Sequence, residues 1–144
     1  MEKKQQTGKN LIKKGEKRVK ESENLINKGQ SILAENIEKV EKYEARVDEG
    51  KLIIEESDKL IEKGEELIEK DEEKFIKKEM GERKIIMGER LKQAGESRVE
   101  DYKKEAEKSE EWIENGESLI KKGYKIGEIG EELVKTGKRL KSKG

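Results

Sequence analysis

The sequence has no cysteine, no histidine and no proline, and it has a single tryptophan and a single phenylalanine. Without cysteine there can be no disulfide, no thiolate nucleophile and no sulfur ligand for a metal. Without histidine the commonest general base and the commonest metal ligand are missing. A nucleophile–base pair would have to be assembled from Lys, Ser, Tyr or carboxylates. At its ordinary usage of about 5%, proline would occur roughly seven times in a chain of this length. Its absence lets a helix run on unbroken. Long apolar runs are missing too. None exceeds three residues, as in Leu52-Ile53-Ile54, and such a run cannot span a bilayer. The opening Met1-Glu2-Lys3-Lys4-Gln5-Gln6 lacks the apolar stretch of a secretion signal, so a cytoplasmic or recombinant soluble chain is expected.

An excess of one charge is also absent. The 144 residues hold 35 Lys and Arg against 35 Asp and Glu, and charged residues make up 49% of the chain. A balanced chain lacks the basic excess that marks a nucleic-acid binder, so no nucleic-acid partner is expected. The same balance weakens attraction to an anionic membrane surface, which leaves membrane binding a secondary reading. So polar a composition borders on disorder, but disorder comes with high net charge and no periodicity. Here the net charge is zero and the periodicity is strong.

What is present is a repeat of seven. Residues 11–31 read LIKKGEK, RVKESEN, LINKGQS, and LIEKGEE and GESLIKK return at 60–66 and 116–122. The consensus is Leu-Ile-x-Lys-Gly-Glu-x. With the Ile/Val position labelled a, Leu falls at g and Gly at d. In the first half, a is Ile12, Val19, Ile26, Leu33, Val40, Val47, Ile54, Ile61, Ile68 and Phe75, all apolar. The d positions are Gly8, Gly15, Ser22, Gly29, Asn36, Tyr43, Gly50, Ser57, Gly64 and Asp71. The d series restarts at Gly81 and continues through Gly88, Gly95, Tyr102, Ser109, Gly116, Gly123, Gly130 and Gly137 to Gly144. The exception among the glycines is Gly127, at a. In this half Lys78, Lys92 and Lys141 stand at a beside Ile85, Val99, Ile113, Ile120 and Val134.

A period of 3.5 fits an α-helix wound into a left-handed supercoil, with g, d and a forming one narrow stripe. Glu and Lys elsewhere favour helix and are depleted in strands, which disfavours a β-solenoid with seven-residue rungs. The expected fold is therefore all-α: a heptad-repeat antiparallel hairpin or bundle, coiled-coil-like, in one domain spanning 1–144 with a phase change near 72–80.

Glycine inside a helix costs about 0.8–1 kcal/mol relative to alanine. A dozen would together cost on the order of 10 kcal/mol, comparable to a domain's whole stability. Loop glycines scatter, whereas these keep register, so close approach of two backbones at d is expected to offset the cost. The expected packing residues are Gly15, Gly29, Gly50, Gly64, Gly88, Gly95, Gly116, Gly123, Gly130 and Gly137. Ile12, Ile26, Ile54, Ile61, Ile68, Ile113 and Ile120 close over them. Ser22, Ser57 and Ser109 suit the same role, whereas Tyr43 and Tyr102 mark wider places or cover a helix end. The competing reading makes the glycines helix-ending residues, with Asn115-Gly116 the best single case.

Three layouts follow. A hairpin would reverse between Asp71 and Gly81, set Gly64 opposite Gly88 and Gly15 opposite Gly137, and have helices about 105 Å long. A four-helix bundle would turn near Asn36, Asp71 and Asn115-Gly116, where turn-capable residues stand. A single straight helix would pair between chains. The hairpin or bundle is preferred, and the narrow apolar stripe points to a homo-oligomer.

No catalytic, cofactor-binding or metal-ligating set is expected. Glu55-Glu56 and Glu110-Glu111 lie off the stripe and read as solvated faces rather than ligands. Gly123 to Gly127 and Gly127 to Gly130 lack the strand and the Gly-Lys-Ser/Thr that a phosphate cradle needs. Trp112, at g, reads as core or interface packing rather than as a platform for a small-molecule ligand. The function expected is a structural, self-associating helical scaffold, not an enzyme. A designed or idealised sequence would show these absences, and a hyperthermophile's Glu/Lys/Ile usage would resemble it. The alternatives are an amphipathic protein that folds on lipid and a groove for a partner helix.

Overall fold

The computed structural model describes residues 2–70 and 75–143. They form two helices of 68 residues, α1 (Glu2–Glu69) and α2 (Phe75–Ser142), packed against each other, with no strand among the described residues. Helix formation follows from the composition. Proline is missing, and Glu and Lys three or four residues apart support each turn, as in Arg46–Glu49 at 3.4 Å and Lys104–Glu100 at 3.3 Å. The outer ends suit the helix dipole. Glu2 lies in the first turn of α1, and Arg139 and Lys141 in the last turn of α2. The Ser142 hydroxyl and the Lys143 N–H both donate to the Arg139 carbonyl, which would otherwise lack a partner.

Neither Asn36 nor Asn115-Gly116 is a turn, so the four-helix layout is not adopted. No described glycine has a positive φ, so none is a helix-ending residue of the left-handed kind. The heptad runs through both places, and unbroken i→i+4 bonding outweighs the turn preference of an isolated Asn. Asp71 and residues 72–74 lie outside the described residues; the remainder of the expected phase change, from Phe75 on, is helix.

Contacts divide the chain into two units, each with a stretch of both helices. Unit 1 holds residues 1–37 and 110–144, and unit 2 holds residues 38–109. Within unit 1 the helices are antiparallel: Gly8 stands against Gly137, Gly15 against Gly130 and Gly29 against Gly116. Within unit 2 they are antiparallel too, with Gly50 against Gly95, Ser57 against Gly88 and Gly64 against Gly81. This corrects the expected register by one heptad, since Gly64 meets Gly81 rather than Gly88, and Gly15 meets Gly130 rather than Gly137. The cause is the place of the reversal. Pairing Gly64 with Gly88 would centre it on Ile76, which already belongs to α2.

Among the described residues the buried positions are the d row, both tyrosines excepted, together with Val47 and Ala106. The buried core is thus made almost wholly of small residues. The a rows of both helices flank the seam on one face of the pair and the g rows on the other. This follows from d lying between them on each helix and the helices running oppositely.

Candidate functional site: a glycine seam between the helices

The seam is closest where glycine faces glycine. A Cβ added at Gly15 would lie 2.5 Å from the Gly130 carbonyl oxygen and 2.8 Å from the Val134 nitrogen. At Gly64 it would lie 2.6 Å from the Gly81 oxygen, and at Gly137 2.5 Å from the Gly8 oxygen. These obstacles are backbone atoms, which cannot rotate aside. Elsewhere the fit is looser: the corresponding distance is 3.2 Å from Gly50 to the Gly95 oxygen, 3.0 Å from Gly88 to the Ser57 oxygen and 3.1 Å from Gly123 to the Ser22 oxygen.

The hydrogen on the Cα of each described glycine at d occupies the direction that Cβ would take, so it is aimed at a carbonyl of the opposite helix. Cα–H···O contacts of this kind contribute about 0.5–1 kcal/mol each. That matches the helix-propensity cost of a glycine, about 0.8–1 kcal/mol. The a-row side chains then lie over the opposite glycine. Ile12 covers Gly137, Ile26 covers Gly123 and Ile120 covers Gly29 in unit 1. In unit 2, Ile54 covers Gly95, Ile61 covers Gly88 and Ile68 covers Gly81. Ile113, like these six, is half-buried.

Gly8 and Gly81 are packed as closely as the glycines singled out from the sequence, and their heptad position already gave the signal. Gly127 has its own reason. It sits at a, across from Ser22, and a Cβ there would come within 2.6 Å of the Ser22 hydroxyl oxygen. A serine on one helix is matched by removal of the a side chain on the other.

Polar groups at the seam are satisfied locally. Ser57, with no exposed surface, donates its hydroxyl to the Ile53 carbonyl at 2.6 Å. The buried Asn36 donates its amide to the Ile32 carbonyl at 2.8 Å. No buried side-chain N or O among the described residues lacks a partner. Tyr43 and Tyr102 neither cover a helix end nor stand apart. They stack on each other in unit 2, ring centroids 6.0 Å apart and planes inclined by 29°. The register sets Ala106 across from Tyr43 and Val47 across from Tyr102. Alanine in place of the usual Ile leaves room for a ring, and both residues are buried.

Lys92 takes an a position that Ile fills elsewhere. Its ammonium reaches out to Asp58 on the other helix at 2.9 Å. The hydrogen bond that Lys92 donates to Asp58, and then the charge of that carboxylate, hold the Lys92 pKa above the usual 10.5. Trp112 is not core: 55% of it is exposed. Among the described residues no group of three or more acidic side chains is arranged to hold a metal ion, and no helix is long and apolar enough to cross a membrane.

No family model matches the sequence, and no curated protein or solved structure is significantly similar to it.

Proposed function

We propose that the protein is a structural, self-associating helical scaffold whose heptad-spaced Gly and Ser residues mediate the helix contacts. The observation that carries this reading is the distribution of burial. The seam buries glycine, serine and asparagine, while the large apolar side chains that flank it, Val47 excepted, stay half-buried or exposed. A chain that folds by backbone contact keeps its Leu, Ile and Met rows available for further packing. Exposed apolar surface of that extent marks an association face.

Circular dichroism with mass measurement tests the reading. Helicity independent of concentration, together with a mass above that of one chain, is the expected result. A coil in buffer that becomes helical only on adding lipid vesicles overturns it in favour of a lipid-folded amphipathic protein.

A further inference from the structure

The chain is neutral overall, but unit 2 is not neutral face by face. Along α2 from Ile76 to Arg98, the side facing away through g, c and f carries Lys77, Arg83, Lys84, Arg90 and Arg98 and no acidic residue. The same side carries Ile76, Met80, Met87 and Leu91, all exposed, with Met87 at 57%. The other face is built from a, b and e. On α1 it carries Asp48, Glu55, Asp58, Glu62, Glu65 and Glu69 against Lys51 alone in that stretch. On α2 it adds Glu79, Glu82, Glu89 and Glu96 around Lys78 and Lys92. The a row, with Ile54, Ile61 and Ile68 half-buried, runs down its middle. On its g side α1 adds Arg46, Lys59, Lys63 and Lys70 and also Glu49, Glu56 and Glu66, so each face has an apolar strip, one with a net excess of cations concentrated on α2 and the other with a net excess of anions. The known cross-face pair, Arg83 with Glu79 at 3.2 Å, lies at the outer back of α2 and leaves this division intact.

We infer that the cationic g face of unit 2 docks on the anionic a face of unit 2 in a second copy of this chain. The inference rests on the self-association proposed above and names its surfaces. Joining like faces would set cations on cations or anions on anions, which is unfavourable when desolvated. Joining unlike faces covers both apolar strips and pairs the borders. Such a contact uses two different patches, so each copy keeps one of each free and assembly does not stop at a dimer unless the geometry closes. Met80 and Met87 suit the role, because unbranched thioethers adapt to an apposed surface.

Two charge-reversed chains test it, both altered only at exposed sites. The first carries Lys77→Glu and Arg90→Glu on the g face, with Arg98→Glu. The second carries Glu55→Lys, Glu62→Lys and Glu69→Lys on the a face. Sedimentation velocity with circular dichroism is the readout. The unaltered chain is expected above monomer mass. Each altered chain alone is expected to lose association while staying helical, and an equimolar mixture to regain it, because the reversed faces complement each other. If an altered chain is not helical, Met80→Gln with Met87→Gln takes its place and is expected to weaken association at least tenfold. Altered chains that associate as the unaltered chain does refute this pair of faces and leave self-association standing. An unaltered chain that is monomeric at every concentration removes self-association itself. Vesicles of anionic phospholipid provide the last arm: sedimentation of the unaltered monomer with them, lost in the first variant, would assign the g face to a lipid surface instead.

Discussion

Replacing glycine by alanine within a helix ordinarily stabilises it, by about 0.8–1 kcal/mol. Gly15→Ala should do the reverse. The new Cβ would stand 2.5 Å from the Gly130 oxygen, 2.8 Å from the Val134 nitrogen and 2.6 Å from Val134 Cγ2, where ordinary contact begins at 3.4 Å. Valine could turn, but the two backbone atoms could not, so the helices must part locally by close to an ångström. Overpacking of this kind costs about 1–3 kcal/mol, and the Cα–H···O contact it displaces adds about 0.5–1 kcal/mol. Set against the propensity gain, the net loss is about 0.5–3 kcal/mol. At on the order of 3–4 °C per kcal/mol for a chain of this size, the melting temperature falls by about 2–12 °C. Gly127→Ala is the internal control, because its Cβ would meet only the Ser22 side chain, whose hydroxyl can rotate. It should be neutral or raise the melting temperature. Gly116→Ala, with the Gly29 oxygen at 3.0 Å, should fall between the two. Thermal melts followed by circular dichroism give the order. If Gly15→Ala and Gly127→Ala are equally stabilising, the close approach at the seam is refuted.

Ser57→Gly should be nearly neutral, whereas Ser57→Leu should cost more than about 3 kcal/mol, because a fully enclosed site has no room for added carbons; urea titration separates them. Tyr43→Ala should lose about 2–3 kcal/mol by leaving a hole beside Tyr102. A double-mutant cycle over the two tyrosines should return a coupling of about 0.5–1.5 kcal/mol. The Lys92–Asp58 pair sets a pH dependence whose sign follows from the raised lysine pKa. Its contribution is fully present below the unfolded-state value of roughly 10.4 and is lost as pH rises through the folded-state value. Melts at pH 9 and pH 11.5 should therefore diverge more for the unaltered chain than for Lys92→Met. Equal divergence would show that the pair does not contribute.

Helical class was legible in the sequence, because a seven-residue apolar spacing among Glu and Lys, with no proline, suits a helix and not a strand. Register was not. Any constant-phase pattern pairs with its mirror at every heptad, so Gly64 fits Gly81 and Gly88 equally well until the point of reversal is known. Turn chemistry misled at Asn36 and Asn115, since an Asn that bonds back to its own helix, as Asn36 does to Ile32, stays helical. Trp112 looked like core because it shares the g position of the leucines. A seam this close buries the small residues of d, with Val47 and Ala106 at a, and leaves g on the flank. The tyrosine pair could have been anticipated from its signal, Ala106 at a position where Ile and Val are commonest. The division of charge between faces was hidden by the neutral total and needed the antiparallel geometry to appear.

Cross-relaxation between α-protons reports the seam most directly. In a NOESY spectrum of the full chain, the Gly64 α-protons should show cross-peaks to those of Gly81 and to the Ile85 side chain, and the Gly15 α-protons to Gly130 and Val134. Glycine α-protons with cross-peaks only to their own helix, or Gly64 correlated with Gly88 in place of Gly81, would contradict the account.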